Sequence, residues 1–342
     1  MRGRFRVPLF LAVATFTASL SGAAAPGTTL EAEVARWSDF LRTHQAPDAL
    51  WKDVKQSTEP ALVRVQKALD EGHLLLALLR FAPVRENLAA AAYVGQRSPA
   101  QHQDMAAVEA EWKRMGGVLA AHLGPPAPAA AAGLRPALVR ALAEAALPQV
   151  RIYYEASVDY GRSTTPDAGL FYLGAAQAAR DFAALAGRLA LPAAGAPPPL
   201  RSLAAELDTL EAEMLAAYKP PLSIDKHREF IGASSALKEA RELEAAGLRH
   251  GALLRYLQAV LRFASLRGGG GLDAAGLGKR LAEAEARLDP AVDHSLARVF
   301  LQAARADLAD PAAPAGAATA AAVVEEVLPR YRAALGPAPA PA

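Results

Sequence analysis

The sequence predicts an all-α protein of packed antiparallel helical hairpins, and three observations carry that prediction. Alanine, leucine, glutamate and arginine recur at three- and four-residue spacings through nearly every segment, the period of one helical face. No sustained alternation of valine, isoleucine or threonine marks a strand. Apolar residues make up 52% of the chain and aromatics only 6%, a balance that suits close-packed helices better than sheets.

The chain opens with MRGRFRVPLFLAVATFTASLSGAAA, in which Arg2, Arg4 and Arg6 precede an apolar run and then small residues. That is the order of a secretory signal peptide, with cleavage expected after Ala23 or Ala24. Thr15, Thr17, Ser19 and Ser21 interrupt the run before it reaches the ~20 apolar residues a spanning helix needs. The expectation is therefore an exported protein, periplasmic or extracellular, with no membrane span once residues 1–24 are removed.

The helical period places helices at 30–45, 48–57, 59–71, 73–95, 99–123, 135–147, 149–160, 166–189, 200–217, 234–246, 249–266, 272–288, 291–309 and 317–335. Thr28-x-x-Glu31 fits a capping box. Ser98-Pro99 and Thr165-Pro166-Asp167 each read as an N-cap followed by proline at the first helical position. Pro83 is expected to kink or split its helix by removing one ladder donor. Proline, alanine and glycine at 124–133, 191–199, 268–271 and 310–316 mark joints or loops. The expected organisation is an N-terminal helical region over 25–123, a helical-hairpin region over 134–335 and a disordered tail over 336–342.

There is no cysteine, so an exported chain of this length must rest on packing rather than on disulfides. A thiol nucleophile and cysteine-ligated metal are excluded with it. Lysine and arginine number 37 against 35 acidic residues, a net charge of +2 that implies no nucleic-acid partner. The seven histidines show neither H-x-x-x-H nor H-x-x-E-H spacing, so neither a metal nor a cofactor is expected. GGGG at 268–271 lacks the Lys-Ser/Thr of a phosphate loop, and no G-x-S-x-G elbow surrounds Ser234-Ser235, which reads as an N-cap. No catalytic residue is assigned.

One pattern occurs twice. Residues 72–81 read GHLLLALLRF and residues 247–256 read GLRHGALLRY, each a glycine, four variable positions, then Ala-Leu-Leu-Arg and an aromatic. Gly72 and Gly247 fall between helices, where glycine closes a helix in the left-handed conformation. Ala77 and Phe81, like Ala252 and Tyr256, are four apart and share a face. This hairpin, with Gly247, Ala252, Tyr256 and Ala259 after Ala240 and Leu243, resembles a tetratricopeptide repeat. The earlier copy offers Gly72, Ala77 and Phe81 but has Val84 and Val65 at positions where that family wants small residues. The resemblance covers about 65 residues and lacks the family's tryptophan and closing proline. It implies a short solenoid or irregular helical array whose first helices face a protein or peptide partner, through Glu59, Leu62 and Gln66 in one copy and Ser234, Leu237 and Arg241 in the other.

Two stretches resist the general drift to alanine. The first, 150–174, holds Tyr153, Tyr154, Tyr160 and Tyr172, and its helical spacing sets Arg151, Glu155 and Asp159 on one face. The second, 218–235, is broken by proline and dense in charge. Arg151, Tyr153, Tyr154, Glu155, Asp159, Tyr160 and Arg162, with Asp225, His227 and Arg228, are candidate ligand-binding residues if the two stretches meet. The plainer reading gives an Arg151–Glu155 ion pair, tyrosines as core and a solvated His227. The function that follows is an exported helical-repeat binding or scaffold protein. The alternatives are a small-ligand carrier using 150–174, or an α/α-toroid carbohydrate-active enzyme with Glu155 and Asp159 as acid and base.

Overall fold

The computed structural model describes residues 29–336 apart from 45–48, 98–100, 127–130, 190, 193–194, 221–223, 268–272, 312 and 314. The segment expected to be a signal peptide, Thr28, Ser98-Pro99, the GGGG stretch and residues 337–342 lie outside the described residues. Among the described residues the architecture is all-α, with single bridges at Ala196–Val292 and Leu200–Leu335.

The helices are α1 (Leu30–Thr43), α2 (Ala49–Asp70), α3 (Leu74–Gly95), α4 (Met105–Leu119), α5 (Ala137–Ser163), α6 (Pro166–Ala186) and α7 (Ala204–Ala217). They continue with α8 (His227–Ala245), α9 (Arg249–Arg267), α10 (Ala274–Ala286), α11 (Ser295–Ala309) and α12 (Gly316–Ala322). A π turn over Val323–Val327 then leads directly into α13 (Leu328–Ala334). The most extensive helix contacts join α5 to α6, α8 to α9, α3 to α6, α2 to α3 and α5 to α9. The α5/α6 hairpin thus stands between α2/α3 and α8/α9.

Several boundaries differ from the sequence reading for identifiable reasons. Residues 48–57 and 59–71 form one helix, α2, through Pro60. Pro60 and Gln56 are both exposed, so the carbonyl that loses its ladder donor turns to water. Pro83 likewise sits on an exposed position and does not split α3. Residues 135–147 and 149–160 also join, as α5, across Pro148. Helix α8 begins at His227, which puts Ser234 and Ser235 inside the helix rather than at its N-cap. Thr165 caps α6 with Pro166 at the first helical position, as expected, and Thr29 caps α1 by accepting from the Ala32 N–H.

The hairpin bends take the expected conformation. Gly72 and Gly247 both have φ +74°. In each, the next residue donates back across the helix end, His73 to the Ala68 carbonyl at 2.8 Å and Leu248 to the Leu243 carbonyl at 2.9 Å, which satisfies one of the last free carbonyls.

Small residues set how closely the central helices approach. A Cβ at Gly174 would fall 2.7 Å from Tyr93 Cβ and 2.9 Å from Ala90 Cα, so α6 can rest on α3 only without one. The N-terminus of α5 has no side-chain cap of its own. Asp293 and Ser295, just before and at the start of α11, supply it, accepting from the Ala137 N–H at 2.6 Å and the Leu138 N–H at 2.9 Å. Two buried donors of the first helical turn are thereby satisfied by residues remote in sequence.

Candidate functional site

Two open grooves mark the outer faces of the hairpins. The first, about 480 Å³, lies between α1 and α2, and Ser38, Leu41, Arg42, Glu59, Leu62 and Val63 line it with Lys55 and Gln66. The second, about 270 Å³, lies between α7 and α8, and Glu211, Met214, Leu215, Ser234, Leu237 and Lys238 line it with Phe230 and Arg241. The six residues expected to face a partner, Glu59, Leu62, Gln66, Ser234, Leu237 and Arg241, all lie in these grooves, three in each.

The grooves correspond position for position. On the first helix Ser38, Leu41 and Arg42 match Glu211, Met214 and Leu215 at a separation of 173 residues. On the second, Lys55, Glu59, Leu62, Val63 and Gln66 match Phe230, Ser234, Leu237, Lys238 and Arg241 at 175. The buried stripe Leu30, Val34, Trp37 and Leu41 of α1 likewise matches Leu203, Leu207, Leu210 and Met214, on and just before α7, at 173. The duplication thus takes in a third helix, which the motif at the bend did not reveal.

Each floor is a buried apolar pair, Leu41 and Leu62 in one groove and Met214 and Leu237 in the other. The lips keep their composition but exchange walls. Arg42 opposes Val63 in the first groove, whereas Leu215 opposes Lys238 in the second; Ser38 with Glu59 becomes Glu211 with Ser234. The apolar lip is well exposed in both, Val63 at 66% and Leu215 at 62%. Charge around the second groove is organised by Arg241, which binds Asp208 at 2.9 Å and Glu211 at 2.7 Å. An apolar floor between a cationic and an apolar lip suits an amphipathic segment.

The tyrosine-rich stretch occupies the junction of the three hairpins. The Tyr153 hydroxyl donates to Glu86 of α3 at 2.7 Å. Burial pushes both groups up, and Glu239 and Arg255, joined at 2.8 Å, act on both from α8 and α9. Tyr153 therefore connects elements of both repeat copies. Tyr160 and Tyr172 stack at 4.2 Å, and burial with the Tyr160 hydrogen bond pushes the Tyr172 hydroxyl up to about 12. Tyr154 is buried and stacks on Trp112 at 5.0 Å.

The charges of that stretch go elsewhere. Arg151 pairs with Glu155 at 3.3 Å on an exposed face, Arg162 reaches Glu109 of α4 at 2.6 Å, and Asp159 is exposed. His227 and Arg228 are exposed at the start of α8, where His227 Nδ1 meets the Tyr218 hydroxyl at 2.7 Å and Tyr218 stacks on Phe230. The Asp225 side chain lies outside the described residues. The α8 charge that acts on Tyr153 is that of Glu239, beyond the 218–235 stretch.

A separate acidic centre went unread in the sequence. Glu111 receives Arg114 at 2.7 and 2.8 Å, Arg97 at 2.5 Å and the Tyr93 hydroxyl. The Arg114 hydrogen bonds lead in holding its carboxyl down to about 2, against the opposing effect of burial. Among the described residues no group of histidine and carboxylate side chains has the arrangement of a metal site, and no helix is long and apolar enough to cross a membrane. Comparison with family models, with curated proteins and with solved structures gives no match.

Proposed function

We propose that the chain is an exported helical-repeat binding protein that holds a protein or peptide partner in two equivalent grooves, α1/α2 and α7/α8. The observation that carries this reading is the correspondence of all eight lining positions, six of which keep the floor and lip chemistry with the walls exchanged, while Phe230 and Arg241 stand where the first groove has Lys55 and Gln66. A surface without a task would have no reason to keep an exposed valine or leucine across from a lysine or arginine in both copies. The tetratricopeptide-like hairpins supply the frame. Because the α5/α6 hairpin separates the two copies, we read the whole as an irregular helical array rather than an evenly stepped solenoid. Each groove would take one amphipathic helix or extended segment, its apolar side on the Leu/Met floor and its acidic side toward Arg42 or Lys238.

The test is site-specific photocrosslinking of the full chain in its own cell envelope, with the reactive residue at Val63 or at Leu215. Both positions should capture the same partner. Val63→Asp with Leu215→Asp should abolish capture at an unchanged melting temperature, since both side chains are exposed. Capture of unrelated sets from the two grooves, or capture that survives the double variant, contradicts the reading.

A further inference from the structure

Where α1, α3 and α6 meet, the chain buries a cation that forms no direct ion pair among the described residues. Arg85 is only 7% exposed, and one of its terminal nitrogens donates to the Ala178 carbonyl at 3.1 Å. Three carboxylates act on it from a distance, Glu33, Asp181 and Glu86, and each has another direct partner. Glu33 receives Arg36 at 2.8 Å, Asp181 receives Arg180 at 2.6 Å, and Glu86 accepts from Tyr153 at 2.7 Å. The guanidinium carbon stands 5.9 Å from the centre of the Phe182 ring, an edge-of-range cation–π contact. Among the described residues Arg85 makes no ion pair, and burial pulls its guanidinium pKa down. An unpaired ion in such surroundings costs several kcal/mol unless something supplies the opposite charge.

Two donors are left over beside it. The Nε of Arg85 and the indole Nε1 of Trp37 are both buried and have no hydrogen-bond partner among the described residues. Both residues line one cavity of about 50 Å³, with Gln96, Gln177 and Asp181 also at its wall. Gly174 forms part of the same wall, at the place where α6 lies closest to α3. Asp181 is paired with Arg180, so of the two charged residues at the cavity wall Arg85 is the one without a direct ion partner. The space suits a compact occupant and excludes a sugar or a nucleotide. Water would answer the donors but would leave the guanidinium without a direct counter-ion.

We propose that this cavity is a binding site for a compact monovalent anion, a halide or a carboxylate of formate size, held by the Arg85 guanidinium and the Trp37 indole N–H. The anion completes the α1/α3/α6 junction and leaves both grooves free. It is independent of the partner-binding reading, because no lining residue is shared with either groove.

The test uses the full mature chain at fixed ionic strength, with sodium gluconate replaced stepwise by sodium chloride, bromide or formate. Thermal unfolding and tryptophan fluorescence are followed together. The compact anions should raise the melting temperature along a saturating curve, and bromide should quench fluorescence along the same curve. Trp37→Phe, which keeps the ring and loses the donor, should weaken the apparent affinity roughly tenfold and remove the saturable quenching. Arg85→Gln should remove the melting response altogether; if that variant does not fold, Trp37→Phe decides alone. A wild-type melting temperature that is the same in gluconate and in the compact anions overturns the proposal, as does an unchanged saturable response in Trp37→Phe.

Discussion

The Nδ1 atom of His250 stands 3.9 Å from Oε1 of Glu144, with both side chains buried between α5 and α9. The carboxylate is already engaged by the Arg140 Nε at 2.7 Å and by the Gly251 N–H at 2.8 Å. Neither His250 ring nitrogen has a hydrogen-bond partner among the described residues. Burial, followed by Arg140, pulls the imidazole down to about 4, while Asp293 acts in the opposite sense. The native state therefore binds fewer protons than the unfolded chain between about pH 6.5 and 4, and stability falls as pH drops through that window. His250→Leu should match the parent at pH 7.5 and flatten that slope, a difference reaching a few kcal/mol near pH 4. Denaturant unfolding at a series of pH values measures it; an identical slope in the variant contradicts the assignment.

Glu111 gives the opposite kind of linkage. Its carboxyl is held to about 2, below the usual 4.5, so the stability it contributes is present above about pH 4.5 and is lost as pH falls toward 2. Glu111→Gln should cost about 1–2 kcal/mol at pH 7, allowing for solvent screening of Arg114, and little at pH 2.5. Equal destabilisation at both pH values would place the loss in packing rather than in charge.

The glycines separate two kinds of constraint. A Cβ at Gly72 meets no atom within 4 Å, so Gly72→Ala should cost only the left-handed backbone, about 1 kcal/mol. A Cβ at Gly251 would lie 2.9 Å from Glu144 Cβ and 3.0 Å from the Ala145 nitrogen, so Gly251→Ala must push α9 away from α5 at about 1–3 kcal/mol. Melting temperatures should fall in the order parent, Gly72→Ala, Gly251→Ala, and the reverse order of the two variants would contradict this account.

What could be read from the sequence was local. The bends at Gly72 and Gly247 and the Thr165-Pro166 helix start follow from rules spanning a few residues. The correspondence of Leu62 with Leu237 followed from applying the same rules to both copies. Pro83 does not split α3, because a proline's cost depends on what receives the freed carbonyl, which spacing does not show. The cap that Asp293 and Ser295 place on α5, and the convergence of Arg85 with Trp37, join residues far apart in the chain. Alanine-poor segments pointed to 150–174, yet Arg85, Trp37 and His250, which keep buried nitrogens without a hydrogen-bond partner among the described residues, are each set in ordinary helical sequence.

Within 150–174 the structural weight falls on Tyr153 and not on the carboxylates. Glu155 pairs with Arg151 at 3.3 Å on an open helix face, with the Glu155 side chain 58% exposed, a geometry that contributes only a few tenths of a kcal/mol. Tyr153 instead supplies the donor for Glu86, whose carboxyl is pushed up by burial. Tyr153→Phe removes that donor without opening a large cavity and leaves a buried carboxyl to find another partner, at about 1–3 kcal/mol. Glu155→Gln with Asp159→Asn should change stability by less than about 0.5 kcal/mol. Chemical denaturation of the two variants beside the parent decides between them. A double carboxamide variant that loses more than Tyr153→Phe would mean that the exposed acids, rather than the Tyr153–Glu86 bond, hold the junction of the three hairpins.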